Sequence, residues 1–421
     1  MSFKNVFAAS RTADANHVSG INVTCDRESH YYHVGENAEI RIGCDKAVSL
    51  TVSLSHDGKA VLERRTISVE ANEPYVFTFT LGRPGFLRCA VEGKDLETRL
   101  LGLAFDPEQI RPALPEPDDF MAFWTKAFAA LDEIPDNFKM TEVQEDSSDE
   151  CAYYELECDN VNGTKHYAYL KLPRTDKKVP LLIYVAGAGA GQGLEIFKKH
   201  NANVEKNISK QVATLTIGVH KYKPLPRFED HENQHGEYIR QFPEQTYWLE
   251  NIEARELTDN FFYRAILGCK RMCDIVSALP QIDQGHIVYL GVSQGGMFGL
   301  YLTAVCPQIR AAFCGVPAFC DCGGSLTGLH TQTSQIATLE KYTDLLRYFD
   351  AANFARHINV PVFLSAGYID VICSPSSVFA AANSLGGPKL VYHKVNHGHV
   401  DSTVEYEGLY WTFVGRFLLG D

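Results

Sequence analysis

The sequence predicts two folds in one chain: a small all-β sandwich of immunoglobulin-like type, then a larger α/β domain built on a mostly parallel sheet. Three observations carry this. Between Ser19 and Ala104, apolar and polar residues alternate with period two in short segments separated by turn residues, as strands with one face in a core and one in water require. Further on, short continuous apolar runs alternate with helix-length stretches, the pattern of strands buried on both faces and covered by helices. Between them lie Pro107, Pro112, Pro115 and Pro117, which suit a linker and neither a helix interior nor a central strand.

Residues 1–18 are polar and carry no apolar run long enough for a signal peptide or an anchor, so they are expected to be a flexible N-terminal segment of a cytoplasmic chain with no membrane partner. The sandwich is expected over residues 19–106. Its strands are Ala38–Ile42, Val48–Leu54, Tyr75–Leu81 and Phe86–Val91, and the turns between them are Val34–Asn37, His56–Lys59 and Gly82–Gly85, each rich in the Gly, Pro, Asn and Asp that turns demand. Residues 107–421 form the second domain. An amphipathic helix begins near Asp118 and carries Phe120, Phe123, Trp124, Phe128 and Leu131. Strands follow at Val179–Val185, Val212–Ile217, Ile287–Leu290, Ala311–Val316, Val360–Ser365 and Lys389–Tyr392, with a helix at Ser376–Leu385 between the last two.

Charge and cysteine content narrow the function. The 421 residues hold 39 basic and 52 acidic side chains, a net charge of -13, which disfavours nucleic acid and anionic lipid as partners. The 12 cysteines show no framework spacing and are expected to be reduced and mostly buried.

The densest chemical signal is Gly291-Val292-Ser293-Gln294-Gly295-Gly296. A G-x-S-x-G string alone is weak, but here an apolar strand enters it and an apolar, helix-competent segment leaves it, as the sharp turn of a nucleophile elbow requires. Ser293 is therefore the candidate nucleophile of an α/β-hydrolase fold. A serine hydroxyl needs a base, and the base needs a carboxylate to fix its tautomer; in this fold the chain order is Ser, acid, His. Asp370 follows the strand ending at Gly367 and is the candidate acid. Beyond the next strand, Val395-Asn396-His397-Gly398-His399 offers two candidate bases. An oxyanion hole needs two backbone N–H donors. Gln294, after the nucleophile, supplies one, and the glycine-alternating loop Ala186–Gly193 after an early strand supplies the other. That loop has neither the register nor the ribose-binding acid of a dinucleotide site. His231-Glu232-Asn233-Gln234-His235 is a formal zinc-binding H-E-x-x-H. Pro224 and Pro226 before it, Gly236 after it and the lack of an evident third ligand argue against that use.

From Pro115 to Leu419 the chain resembles the acetyl xylan esterase and cephalosporin C deacetylase family, carbohydrate esterase family 7. The likeness rests on Pro117-Asp118-Asp119-Phe120 with Phe123-Trp124, Phe262-Tyr263-Arg264, the Ser293 elbow, Val316-Pro317-Ala318-Phe319-Cys320-Asp321, and Asp370 followed by Cys373, Pro375-Ser376 and Val378–Ala381. The resemblance implies Asp370 as acid and His397, five residues after Tyr392, as base, with His399 as the fallback. It implies Ala188 as the second oxyanion donor, where the family typically has a Tyr. The family's Arg-Gly-Gln triplet is replaced by His220-Lys221-Tyr222, its Glu after the base by Gly398, and its single-domain members lack the sandwich. The expected activity is serine-esterase hydrolysis of short acyl esters, acetyl above all, of carbohydrates. It needs no metal or organic cofactor, and its partner is a small-molecule or oligosaccharide ester, with a homo-oligomer left open. A prolyl-oligopeptidase-type serine peptidase shares the elbow, but the residues before the α/β domain are too few for a β-propeller. A non-catalytic carbohydrate-binding protein on a relic hydrolase fold is the other alternative.

Overall fold

The N-terminal strands stack as two sheets whose facing side chains form one core. The computed structural model describes residues 20–190 and 193–420, and the segment 1–18 lies outside them. One sheet has the order β1 (Ile21–Cys25), β3 (Ala38–Cys44), β6 (Tyr75–Phe79). The other runs β2 (Tyr31–Tyr32), β8 (Arg99–Phe105), β7 (Gly85–Gly93), β4 (Val48–His56), β5 (Ala60–Val69). In β3 the alternation is strict: Ala38, Ile40, Ile42 and Cys44 are buried, while the residues between them face outward. These residues join Leu50, Val52, Leu87, Cys89 and Leu103 in the sandwich core. The sequence patterning missed β5, whose Glu63-Arg64-Arg65 run breaks the alternation. It pairs only with β4, at the sheet edge, where exposed charge discourages pairing with another chain.

The second sheet has nine strands in the order β17 (Lys389–Lys394), β16 (Val362–Gly367), β15 (Ala311–Gly315), β14 (Ile282–Val292), β12 (Val179–Val185), β13 (Ala213–Ile217), β11 (Lys165–Pro173), β10 (Cys151–Asp159), β9 (Lys139–Glu142). From β17 to β13 all neighbours are parallel. The last three strands attach antiparallel. A short connection through Asn162 and Gly163, both at positive φ, joins β10 to β11 and leaves no room for a crossover helix. The helices that matter for the site are α1 (Phe120–Asp132), α2 (Leu194–Asn207), α3 (Phe228–Ile239), α4 (Phe261–Ser277), α5 (Gln294–Val305), α6 (Pro375–Ala382) and α7 (Val404–Leu419). Helix α4 is buried along most of its length, because one face carries Phe262, Ile266 and Cys273 and the other Phe261, Ala265 and Met272. All 12 cysteines are free thiols, ten of them buried. Among the described residues no helix is long and apolar enough to cross a membrane.

The two sheet systems meet in a small apolar cluster of Phe86, Ala104 and Ile110 against Ala366, Tyr368, Val378 and Phe379. The proline-rich connection is tied down by hydrogen bonds from Arg347 Nε to the Pro115 carbonyl (2.8 Å), from the Ala113 amide to Asp321 Oδ1 (2.8 Å) and from Asn383 Nδ2 to the Pro107 carbonyl (2.8 Å).

Candidate active site

Ser293 stands between the end of β14 and the start of α5 with φ 60° and ψ -121°. A non-glycine residue in this region costs on the order of 1–3 kcal/mol and persists only where its surroundings hold it. Here the Ser293 amide donates to the Gly315 carbonyl (2.9 Å), and the Ser293 carbonyl accepts from the Met297 amide (3.0 Å) and the Ala318 amide (3.0 Å). The turn also needs small neighbours. A Cβ on Gly295 would lie 2.1 Å from the Val185 carbonyl oxygen, and one on Gly291 would lie 2.5 Å from the Gly295 backbone. Helix α5 can therefore approach the sheet only because these positions are glycine.

The candidate acid follows β16 and the candidate base loop follows β17, so both arrive at the same C-terminal edge of the sheet as Ser293, where parallel sheets present their sites. Asp370 is fully buried. Its Oδ1 accepts from the Ile372 and Cys373 amides (2.7 and 2.9 Å), and its Oδ2 lies 2.8 Å from His399 Nδ1. His399 Nε2 in turn lies 3.0 Å from Ser293 Oγ. Burial works against a charged imidazole here, and the Asp370 charge and hydrogen bond outweigh it, holding His399 well above the usual histidine value. Cys373, also buried against this pair, has its thiol pushed up by desolvation.

The structure departs from the sequence expectation of His397 as candidate base: the ring that lies between Ser293 and Asp370 is that of His399. Strand β17 runs to Lys394, two residues past Tyr392, from which the base was counted. His397 is spent on the turn that follows. Its amide donates to the Lys394 carbonyl (3.2 Å), and its carbonyl accepts from the Ile369 amide (3.4 Å) while packing over Gly367. Its half-buried ring is not the one hydrogen-bonded to Ser293 and Asp370. The Gly398 amide donates to Asp401 Oδ2 (2.6 Å), closing the turn and delivering the next ring to the junction.

Gln294 and Ala188 lie where two strand ends face each other. Gln294 is the first residue of α5 and is buried, so its amide is one of the helix's free N-terminal donors. Ala188 stands half-buried on the loop after β12; Gly187 and Gly189 on either side of it line a crevice with Gln294. Gly191 and Gln192 of that loop lie outside the described residues.

Two residues that sequence reasoning did not single out, Tyr247 and Trp248, help hold this region in place. The Tyr247 hydroxyl donates to Gln294 Oε1 (2.5 Å), and Trp248 Nε1 donates to the same oxygen (3.3 Å). The Gly189 amide bonds to the Tyr247 hydroxyl, and the Gly189 carbonyl lies 3.4 Å from His220 Nε2. Tyr247 thus ties the elbow to the glycine loop, at a position 47 residues from Gln294 in sequence that no local motif marks. His220, in place of the family's Arg, is the residue that meets the glycine loop at the Gly189 carbonyl. Lys221 pairs with Glu250, which also binds Arg264 (2.9 Å). The Tyr222 hydroxyl lies 2.9 Å from His235 Nδ1.

The H-E-x-x-H segment is helical, on α3, with His231 and His235 both buried. His231 Nδ1 lies 3.2 Å from Gln234 Oε1, and the His235 ring packs 5.0 Å from His220. Burial, with a lesser contribution from His231, takes His235 down to about 4, so it is neutral at physiological pH. Among the described residues no three His, Cys, Asp or Glu side chains gather in a way that could hold a metal ion.

Comparison with known proteins shows the family and the fold. Residues 106–413 match the family model described as acetyl xylan esterase (AXE1). An acetyl esterase of Xylanibacter ruminicola, Axe7A, is 25% identical over 396 residues, covering 90% of this chain and 87% of its own. With so little of the chain left over, that match extends into the sandwich. Two solved structures share the fold. An acetyl xylan esterase from Paenibacillus sp. R4 has a TM-score of 0.61 at 22% identity, over 74% of this chain and 98% of its own. Acetyl xylan esterase 1 from Thermoanaerobacterium sp. JW/SL YS485 has a TM-score of 0.60 at 20% identity, over 74% of this chain and 97% of its own.

Proposed function

The chain belongs to the acetyl xylan esterase family and is a carboxylic ester hydrolase, and from that premise we propose that it removes acetyl groups from carbohydrate esters through a Ser293–His399–Asp370 triad and an acyl-enzyme. The observation that carries the reading is the unbroken hydrogen-bond chain from Ser293 Oγ through both nitrogens of His399 to a buried carboxylate.

In this mechanism His399 Nε2 takes the Ser293 proton as Oγ attacks the ester carbonyl. Asp370 holds the ring in the tautomer with the proton on Nδ1 and faces the positive charge that develops. The oxyanion is received by the amides of Gln294 and Ala188, each such donor being worth about 3 kcal/mol in the transition state. His399 then protonates the departing sugar hydroxyl, which leaves the acetyl group on Ser293. Water, deprotonated by the same ring, attacks the acyl-enzyme and releases acetate. The acidic net charge of the chain suits a neutral glycan ester better than a polyanion.

The test is hydrolysis of p-nitrophenyl acetate and of acetylated xylo-oligosaccharides by the parent and by Ser293→Ala. Acetate release by the parent that disappears in the variant supports the reading. Turnover that survives Ser293→Ala overturns it.

A further inference from the structure

The loop that carries Asp370 is supported from behind by the β-sandwich. Gly102 of β8 lies so close that a Cβ on it would meet the Tyr368 carbonyl oxygen at 2.5 Å. The Phe86 ring of β7 sits 4.9 Å from the Tyr368 ring and 5.4 Å from the Phe379 ring on α6. Between these contacts Arg88 of β7 is buried and points its guanidinium at the loop, and Nη2 donates to the Asp370 carbonyl at 2.5 Å. Asp57, at the end of β4, is also buried and faces Arg88, Ser374 and Ser376. A buried charge is retained only where it is paired or hydrogen-bonded. Arg88 meets that condition through a main-chain oxygen of the catalytic acid itself, with the Asp57 carboxylate adding electrostatic attraction without a direct hydrogen bond.

The location of that bond gives it a consequence. The Asp370 carboxylate is aimed by its own main chain, since Oδ1 is held by the amides of Ile372 and Cys373, leaving Oδ2 for His399. A movement of the Asp370 peptide rotates the carboxylate off the ring, and a misplacement of about 1 Å in such a group can cost about a hundredfold in rate. Two further polar links between the two regions lie elsewhere: Lys59 Nζ donates to the Ser325 carbonyl (3.1 Å), and Arg83 Nη2 to the Thr327 carbonyl (3.1 Å). They join the same surfaces without touching the acid loop.

We propose that Arg88 is a positioning residue for the reaction, a side chain of the β-sandwich that sets the orientation of Asp370 through its carbonyl and so makes turnover by the α/β region depend on the sandwich. This rests on the triad reading above. In the resting enzyme the Asp370 peptide is fixed and the His399–Asp370 bond is short; without the guanidinium the peptide is released, the bond loosens, and kcat falls while substrate binding is unaffected.

The experiment compares the full-length parent with Arg88→Met, Arg88→Lys and Lys59→Ala, measuring kcat and KM for acetate release and the downfield proton resonance of the His399 Nδ1–H by NMR. Arg88→Met keeps the apolar stem and removes the donor. Its kcat is expected to fall ten- to a hundredfold with KM within about twofold of the parent, and its imidazole resonance to broaden or shift upfield. Arg88→Lys, with a shorter reach and a single ammonium, is expected to fall between. Lys59→Ala is expected to match the parent. If Arg88→Met fails to fold, Arg88→Lys carries the same two measurements. Parental kcat with an unchanged resonance in the Arg88 variants overturns the proposal, as does an equal loss of kcat in Lys59→Ala, which would make the contact general docking. Failure of the triad reading would show differently, as turnover retained in Ser293→Ala, and the NMR readout does not depend on substrate.

Discussion

The nucleophile elbow and the base loop lie a hydrogen bond apart and are built in opposite ways. Ser293 stands in a turn shaped by a strand, a helix and glycines that are its near neighbours in sequence, from Gly291 to Met297, pressed against β12 and β15, with Gly315 and Ala318 adding main-chain hydrogen bonds from further along the chain. His399 is held by residues that meet only in the folded chain. Asp370 aligns its ring, the Ile369 amide holds the His397 carbonyl, and Lys394 Nζ donates to the Gly398 carbonyl (3.3 Å). A site element built locally can be recognised from a short string, whereas one built by tertiary contact cannot be fixed to the residue without knowing where its strand ends.

The largest effect should come from testing whether the base is the ring two residues further on. His399→Ala and Ser293→Ala are each expected to lower kcat by at least about 10⁴-fold, as removal of a member of such a unit does. His397→Ala, which keeps the backbone of the turn, is expected to stay within about threefold of the parent. Steady-state hydrolysis of p-nitrophenyl acetate by the three variants decides it. A loss in His397→Ala that equals the loss in His399→Ala would reverse the assignment.

The elbow can be broken locally. Gly295→Ala places a methyl where the Val185 carbonyl already lies, 2.1 Å away. Overpacking of this kind costs about 1–3 kcal/mol, so a lower urea midpoint is expected together with a large drop in kcat, because α5 must retreat and carry the Gln294 amide with it. Chemical denaturation and kinetics on one preparation check both. An unchanged midpoint would mean that the helix has slack here which the contacts do not suggest.

A smaller effect is expected at Tyr247, the tie between the elbow and the glycine loop. Tyr247→Phe removes the donor to Gln294 Oε1 and the acceptor for the Gly189 amide but keeps the buried ring. Trp248 still satisfies the amide oxygen. A net hydrogen bond is worth about 1 kcal/mol, so kcat should fall about fivefold with little change in KM. A parental kcat would show that the glycine loop is held well enough by His220 alone.

Much of this architecture is legible in the sequence, and the limits follow the same division. Period-two alternation revealed β3, β4, β6 and β7, and apolar runs revealed the parallel strands, because burial on one face or both writes itself into neighbouring residues. Strand β5 was hidden by its edge charges. Of the antiparallel strands, β9 has only four residues, whereas β10 and β11 run nine residues each and are joined at Asn162-Gly163, a turn signal the strand reading passed over. The Ser293 elbow could be read from six residues, and Asp370 from the strand before it. Tyr247 and Arg88 could not be read at all: each acts at long range in sequence on a side-chain amide or main-chain oxygen, Arg88 from the sandwich onto the α/β region, and nothing in its own neighbourhood marks it.

The finest test of the comparison is electrostatic, since the elbow carries no charge and the base loop depends on one. Burial alone would depress His399, and Asp370 raises it well above the ordinary value of about 6.5. A histidine raised in the folded state contributes stability that is fully present below the unfolded value and is lost as pH rises through the folded one. The base works only when neutral, so kcat/KM should rise with pH over that same upper range. Stability from this pair and activity therefore change in opposite directions between the two values. Asp370→Asn removes the charge and leaves the burial, so an NMR titration of His399 should move to lower pH, and the acid limb of the residual kcat/KM should follow it. If the His399 titration does not move, the raised value must come from a source other than Asp370. The base loop would then be as self-contained as the elbow, and its dependence on tertiary contacts would be limited to geometry.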